Sequence, residues 1–583
     1  MHELVSKAEF ARATQLERLG MTGMVTPLMR LTGLSKINEI YAQIHESHGM
    51  DFINAFIEQM EIEVIWEGLG LDKIPKEGPF ITVANHPYGA WDGLLLIQMM
   101  AKQRPDFKVM ANFLLQQVDP IKDFFIPVNP MEDQGITHSS LGGVKRSLQH
   151  LEAGHPLGLF PAGEVSSFQS RTRTVTDRVW QRQVVKLIEK AEVPVIPIHF
   201  QGANSPLFHL MGMIHPALRT ARIPKETLNK KRTTIHAKVG SPITVREQQR
   251  VDGVDRLSRY LRARVYSLGS GLEVERFFKG RISLSRKEAP LADPISKEAV
   301  MAEIDQLHPE QKICSQMEFD IYLAAAPQIP GILKELGRLR ELTFREVGEG
   351  TGQSCDLDEY DLYYLHLFLF DREAKQIAGA YRLGKGDEIM LKFGKKGFYT
   401  NSLFRMKDGM DSILKQSVEL GRSFILKDYQ KKRLSLFLLW KGIHTYLMSQ
   451  SQYRYLIGPV TISNDYSTFS KSLIVTLIEK YFFDHDLAEH VEPRKRFKPN
   501  LKRIDPDDLL ATMANPGDLK QVDKILEDIE PEHFKLPILL KKYIKQNARI
   551  IAFNVDPSFN NALDGLMVLD LKELPDATHE NMS

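Results

Sequence analysis

Asn85-His86-Pro87-Tyr88-Gly89-Ala90-Trp91-Asp92-Gly93 is the stretch on which the reading of this chain turns. The apolar run Pro79–Ala84 leads into it and reads as a buried strand. Leu94–Met100 follows and reads as a helix with a mostly buried face. A His and an Asp thus sit at a strand-to-helix corner, where loops carry chemistry on a rigid scaffold. His86 is suited to take a proton near neutral pH, and Asp92 to hold its tautomer and stabilise the imidazolium. The competing interpretation is purely structural, with His86 ending a strand and Asp92 capping a helix.

The chain has 583 residues, too many for one core, so at least two domains are expected. Hydrophobic residues at 43% and charged residues at 26% are ordinary for a folded soluble protein, and the net charge of +2 gives no global argument for nucleic acid. The two cysteines, Cys314 and Cys355, lack metal-ligand spacing, so neither a structural metal nor a disulfide framework is expected, and a reducing compartment fits. No apolar run reaches the roughly 18–20 residues of a spanning helix. The N-terminus lacks a basic segment followed by an apolar one, so no secretory leader is expected.

Residues 1–60 read as helical, broken at Gly20 and near Pro27. The Met-rich piece Met21–Leu34 could lie in a lipid headgroup layer or serve as core. From 61 to 280, short apolar runs alternate with amphipathic ones. Strands are expected at Glu63–Trp66, Pro79–Ala84, Lys108–Ala111, Phe124–Val128, Leu157–Phe160, Val195–Phe200 and Thr234–Val239. Helices fall at Ser139–Ala153, Arg178–Ala191 and Arg246–Leu268. This alternation argues for an α/β domain with a largely parallel sheet. Lys, Glu, Pro and Asp accumulate over 281–316, read as a linker. A second α/β domain is expected over 317–575. Its helices are Pro330–Phe344, Asp408–Leu420 and Ser435–Met448; its strands include Phe319–Leu323, Tyr363–Asp371 and Gln376–Leu383.

Phe160-Pro161-Ala162-Gly163-Glu164-Val165-Ser166-Ser167 is a second corner at the end of an apolar strand, and Val193-Pro194-Val195-Ile196-Pro197 is a third strand with Pro at its rim. Corners at neighbouring strand ends would converge on one pocket. In this order the blocks resemble the glycerolipid acyltransferase family, of the lysophosphatidate acyltransferase type, over about residues 60–270. The resemblance implies that His86 is the general base toward an acceptor hydroxyl, that Asp92 orients it, and that the acyl donor is a thioester. It also implies substrate contacts from Asn85, Gly163, Glu164 and Ser166. Five residues separate His86 from Asp92 where the family has four, a spacing that resembles the hemolysin-like branch. Val165 stands where the family's second box has Arg, which suggests an acceptor without glycerol phosphate. Arg171, Arg173 and Arg178 are close enough in sequence to substitute.

In the second half, Arg340 and Phe344 are followed by Asp358 and Asp361, by Arg382, and by Glu419 and Arg422. Acids beside arginines can bind a zwitterion, carboxylates taking the amine and Arg the carboxylate; a surface ion-pair network is the bland alternative. The order resembles the acyl-homoserine-lactone synthase branch of the GNAT superfamily, and more closely the bacterial N-acyltransferases of lyso-ornithine lipid. That implies Glu419 or one of the Asp pair helping to deprotonate the acceptor amine, with the arginines binding donor or acceptor. The Gly-rich pyrophosphate loop of coenzyme-A-using relatives is not evident, which favours acyl carrier protein over acyl-CoA as donor. The basic run Glu492–Arg503 is a candidate surface for that acidic carrier or for anionic lipid, and it lacks the aromatic interleaving of nucleic-acid binders.

Fused, the halves resemble bifunctional ornithine-lipid acyltransferases. The C-terminal domain would N-acylate an amino acid with a 3-hydroxyacyl chain. The N-terminal domain would O-acylate that lyso-lipid, with no bound cofactor or metal. The resemblance places the enzyme at the cytoplasmic face of the cell membrane, as a peripheral protein. The rivals are a lysophospholipid acyltransferase with an accessory GNAT domain, and a membrane-active hemolysin-like protein without catalysis.

Overall fold

The computed structural model describes residues 3–575 apart from 15, 19–20, 69–73, 113–114, 116–117, 129–138, 170–173, 215, 271–288, 431–432, 502–503, 531–533 and 558. The chain divides into two compact units, Met1–Leu272 with Lys502–Phe534, and Glu273–Leu501 with Lys535–Ser583.

The first unit is built on nine strands: β1 (Glu63–Gly68), β2 (Ile81–Ala84), β3 (Lys108–Asn112), β4 (Phe125–Val128), β5 (Leu157–Leu159), β6 (Ser167–Gln169), β7 (Thr174–Thr176), β8 (Val195–Phe200) and β9 (Thr234–Val239). Seven form one sheet in the order β1-β9-β8-β2-β5-β3-β4, and β6 and β7 form a separate hairpin. All neighbours in the sheet are parallel except β8 and β9. β2 and β8 are almost wholly buried, as apolar runs without alternation require when both faces are covered. One core lies between the sheet and the helices Met50–Gln59 and Ala90–Ala101; the other lies under Arg182–Ala191 and Val254–Leu268.

Three local expectations change here. Pro27 sits in the first turn of the helix Val25–Thr32, where its missing N–H costs nothing, so it does not break it. The break falls instead at Gly33 (φ +85°), where a Cβ would lie 3.2 Å from the backbone of Lys225. The expected helix Arg246–Leu268 is two, Val245–Gln249 and Val254–Leu268. Lys502–Phe534, expected within the second domain, belongs to the first unit. Buried Arg264 bonds Asp528 at 2.7 Å, Asp528 caps Ser241, and Lys524 pairs with Glu247.

The second unit carries β10 (Lys312–Gln316), β11 (Phe319–Ala325), β12 (Leu365–Asp371), β13 (Gln376–Lys385), β14 (Phe404–Met406), β15 (Ser417–Ile425), β16 (Tyr455–Ile462), β17 (Val491–Pro493), β18 (Arg549–Asp556) and β19 (Ala562–Asp570). Eight make a sheet in the order β10-β11-β12-β13-β15-β16-β19-β18. β10 and the helix Lys297–Asp305 already belong to this unit, so the stretch read as linker is partly built into the fold. The expected helix Asp408–Leu420 is absent: Asp411–Lys415 is one short helix, and Ser417 onward is β15, held between β13 and β16. Among the described residues β15 and β16 are the only parallel neighbours of this sheet. They pair only over Ser417–Glu419 and Tyr455–Ile457, so beyond Glu419 the two strands run on without a ladder and leave a wedge.

Candidate functional sites in the two units

In the first unit β2 and β5 are adjacent and parallel, with Val83 opposite Leu159, so both corners open at the same carboxyl edge of the sheet. His86 Nδ1 lies 3.0 Å from Asp92 Oδ2, with the imidazole about one-fifth exposed and the carboxylate fully buried. The same Oδ2 accepts from the N–H groups of Tyr88 (2.8 Å) and Gly89 (3.0 Å). Asp92 therefore caps its helix and orients His86 together, so the two interpretations of this corner are not exclusive. Burial pushes the Asp92 carboxyl above its ordinary range, against the pull of His86 and the two N–H groups. The ring stacks on Phe160 at 4.3 Å. With Nδ1 donating to Asp92, the other nitrogen, Nε2, has no hydrogen bond among the described residues.

The remaining expected residues of this unit shape the corner more than they line it. Asn85 is spent on β8, giving its amide to Phe200 O (2.8 Å) and accepting Phe200 N–H (2.7 Å). Buried Ser166 donates its hydroxyl to Asp177 (2.5 Å) and its N–H to His86 O (2.8 Å), tying the second corner to the first. Gly163 takes φ +69°, and a Cβ there would lie 2.0 Å from Gln181 Nε2. Glu164 is bracketed by Arg178 (2.9 Å) and Arg219 (2.5 Å). Arg171 and Arg173 lie outside the described residues.

Two residues here were missed or undervalued in the sequence. Asp177, equally open in the sequence to a packing, a capping or a site role, accepts from His86 N–H, Ser166 and Trp180, and so carries both corners. Arg219 comes from the distant helix Pro216–Leu228, with no motif around it.

In the second unit the expected charges converge. Fully buried Arg340 donates to Asp361 at 2.7 Å, and Arg382 reaches Asp358 (2.5 Å) and Asp361 (3.2 Å). Arg422 meets Asp358 at 3.3 Å and Asp356 at 3.2 Å. The two arginines hold the Asp361 carboxyl well below its usual range despite burial. Burial, then the charge of Arg340, pushes His366 down to about 4. A bulge in β15 beside Arg382 gives Arg422 a left-handed φ of +48° and turns it into the cluster. This is a buried network, not the surface alternative. The guanidinium of Arg382 lies 5.1–5.6 Å from the ring centres of Tyr360, Tyr364 and Tyr399.

Phe344 stays outside this network, half-buried against the core under β12 and β13. Glu419, expected to handle the amine proton, is on a strand and 1% exposed. It accepts from the Tyr399 and Thr400 N–H groups (2.9 and 2.7 Å) and from the Tyr364 hydroxyl, so its oxygens are occupied within the protein. Burial pushes its carboxyl up. This geometry fixes the Tyr399 loop.

The chain matches two family models: an acyltransferase family over residues 11–275 and the acetyltransferase (GNAT) domain over 339–441. A glycine N(alpha)-acyltransferase of Bacteroides thetaiotaomicron is 30% identical over 43% of this chain and 76% of its own length. One of Phocaeicola vulgatus is 33% identical over 33% of this chain; the chain spans 62% of that relative's length. A lyso-glycine lipid O-acyltransferase of Bacteroides thetaiotaomicron is 27% identical over 33% of this chain and 69% of its own. Among solved structures, the 1-acyl-sn-glycerophosphate acyltransferase of Thermotoga maritima is 19% identical, covering 37% of this chain and 79% of that one, with a TM-score of 0.24. A CoA-dependent acyl-homoserine lactone synthase is 15% identical, covering 24% and 66%, with a TM-score of 0.18.

Proposed function

Because the chain belongs to the acyltransferases, joining an acyltransferase domain to a GNAT domain, we propose that it performs two acyl transfers in succession to build an aminolipid. The second unit joins a 3-hydroxyacyl chain to the amine of a small amino acid. The first unit then esterifies the 3-hydroxyl of that lyso-lipid. The observation that carries this reading is His86, whose Nδ1 is held by buried Asp92 while Nε2 has no hydrogen bond among the described residues. Nε2 takes the proton of the acceptor hydroxyl, the oxygen attacks the thioester carbonyl, the C–S bond breaks, and the imidazolium returns its proton to the departing sulfur. Asp92 stabilises the imidazolium meanwhile.

The acceptor is supported by Glu164. It engages both Arg178 and Arg219, so each of these guanidinium groups already shares a carboxylate and is less available to a phosphate. Names of relatives make glycine the first amino acid to assay and ornithine the second. Acyl carrier protein is the proposed donor partner. Its acidic surface would meet the exposed Arg494, Lys495, Arg496 and Lys498.

The proposed working surface is the inner face of a membrane. No described helix is long and apolar enough to cross one. Met21, Met24 and Leu31 are exposed in the Met-rich piece. So are Leu207, Leu210, Met213 and Ile214 on the helix Pro206–Ile214, which the sequence reading passed over.

The test is purified full-length protein given acyl carrier protein thioesters with glycine, with N-acyl glycine, or with lysophosphatidate. The reading expects N-acyl and then N,O-diacyl product. Transfer to lysophosphatidate alone would favour a glycerolipid enzyme with an accessory domain, and membrane lysis unaffected by His86→Ala would favour a non-enzymatic protein.

A further inference from the structure

With both oxygens of Glu419 occupied, the proton of the acceptor amine needs another destination. Beyond Glu419 the wedge between β15 and β16 is bordered by Arg422 on one strand and Thr461 on the other. Thr461 donates to Asp564 Oδ1 on β19 at 2.7 Å. Asp564 is 4% exposed. Arg422 lies within electrostatic reach of it, as do Asp556 on β18 and Glu349 in the turn after the helix Pro330–Glu346; Asp465 in turn acts on Glu349. The Tyr399 hydroxyl, which accepts from Arg422 at 3.4 Å, stands in the field of both arginines and of Asp564 and Asp556.

A second observation points to a ligand at this place. Arg382 is fully buried, yet its Nε and Nη2 have no hydrogen-bond partner among the described residues. Buried donors normally find acceptors, so these await an oxygen that the protein does not supply. A zwitterion fits both halves of the arrangement: its carboxylate to the guanidinium side, its ammonium to the carboxylates.

We infer that Asp564, with Glu349 beside it, receives the proton of the acceptor ammonium at the head of the β15–β16 wedge; this rests on the N-acyltransferase reading of the second unit. Burial and like charges push both carboxyls up to about 7, so they exchange protons near neutral pH where an ordinary carboxylate would be too weak a base. The ammonium gives one proton to Asp564. The freed amine attacks the thioester carbonyl, the C–N bond forms as C–S breaks, and the second amine proton leaves with the thiolate as free thiol. Solvent then takes the proton from Asp564.

The test measures N-acylation of glycine by the full-length protein against pH, using a 3-hydroxyacyl thioester. In the wild type the rate is expected to rise through about pH 7. Asp564→Asn is expected to lose about 10²-fold or more in kcat at pH 7.5 and to erase that rise. Glu349→Gln, at a half-buried turn, is expected to move the rise to lower pH, because a like charge is gone. Asp564→Asn should also melt at higher temperature above pH 7, since an ionised buried carboxylate is removed; this separates loss of base from loss of fold. Wild-type rate and pH profile in Asp564→Asn would overturn the inference. A wild type that acylates no amine would overturn the underlying reading as well.

Discussion

The two sites are assembled in opposite ways. In the first unit the reactive pair, His86 and Asp92, lies six residues apart across one strand-to-helix corner, with a single ion-pair contact of 3.0 Å. In the second, Arg340, Asp358, Asp361, Arg382 and Arg422 come from a helix, a turn and two strands and form one buried network. On the proposed assignment, the difference teaches what each reaction demands. An alcohol is nearly neutral and needs only a base. An amino acid brings two charges into a closed site, and these must be met by opposite charges already held in place.

This contrast can be broken most severely at Arg382. Arg382→Ala takes away the guanidinium that Asp358 and Asp361 share, leaving Asp361 to Arg340 and Asp358 to Arg422, so a loss of about 1.5–3 kcal/mol in unfolding free energy of the second unit is expected, together with N-acylation. Equilibrium denaturation read separately for each unit would show it; an unchanged midpoint would mean the network is not the scaffold described.

Asp92→Asn should act on rate. It keeps the shape and the cap but removes the charge, so O-acylation should fall by about 10²-fold while N-acylation holds, measured as separate initial rates.

The comparison sharpens with pH. His366, fully buried, has a folded pKa of about 4 against an ordinary 6.5, so between these values the unfolded chain binds more protons than the folded one. Stability of the second unit should therefore fall as pH drops from 6.5 to 4, by up to about 3 kcal/mol, and His366→Phe should flatten that dependence in thermal melts. The smallest effect belongs to the rim. Arg178 is more than half exposed, and Arg178→Ala should cost no more than about 1 kcal/mol.

The same contrast explains what the sequence made legible. Strands such as Val195–Phe200 and Thr234–Val239 announce themselves, because buried apolar runs are bounded by Pro, Gly or charge. The corner His86–Asp92 is legible because its chemistry is local. Asp408–Leu420 misleads because Met410, Ile413, Leu414 and Val418 fall near helical spacing, whereas pairing to β13 and β16 decides the conformation from Ser417 on. Lys502–Phe534 misleads because a local pattern cannot say which core a helix joins; buried Arg264 and Glu247, distant in sequence, decide it. Arg219 and Asp564 carry no local pattern, and only folding brings them to their sites.

The central claim is that two different pockets of one chain act in sequence, first on nitrogen and then on oxygen. The most direct measurement is mass spectrometry of lipids from cells expressing His86→Ala. The account predicts that the N-acyl amino acid accumulates while the N,O-diacyl lipid disappears. Undiminished diacyl lipid in that variant would contradict it.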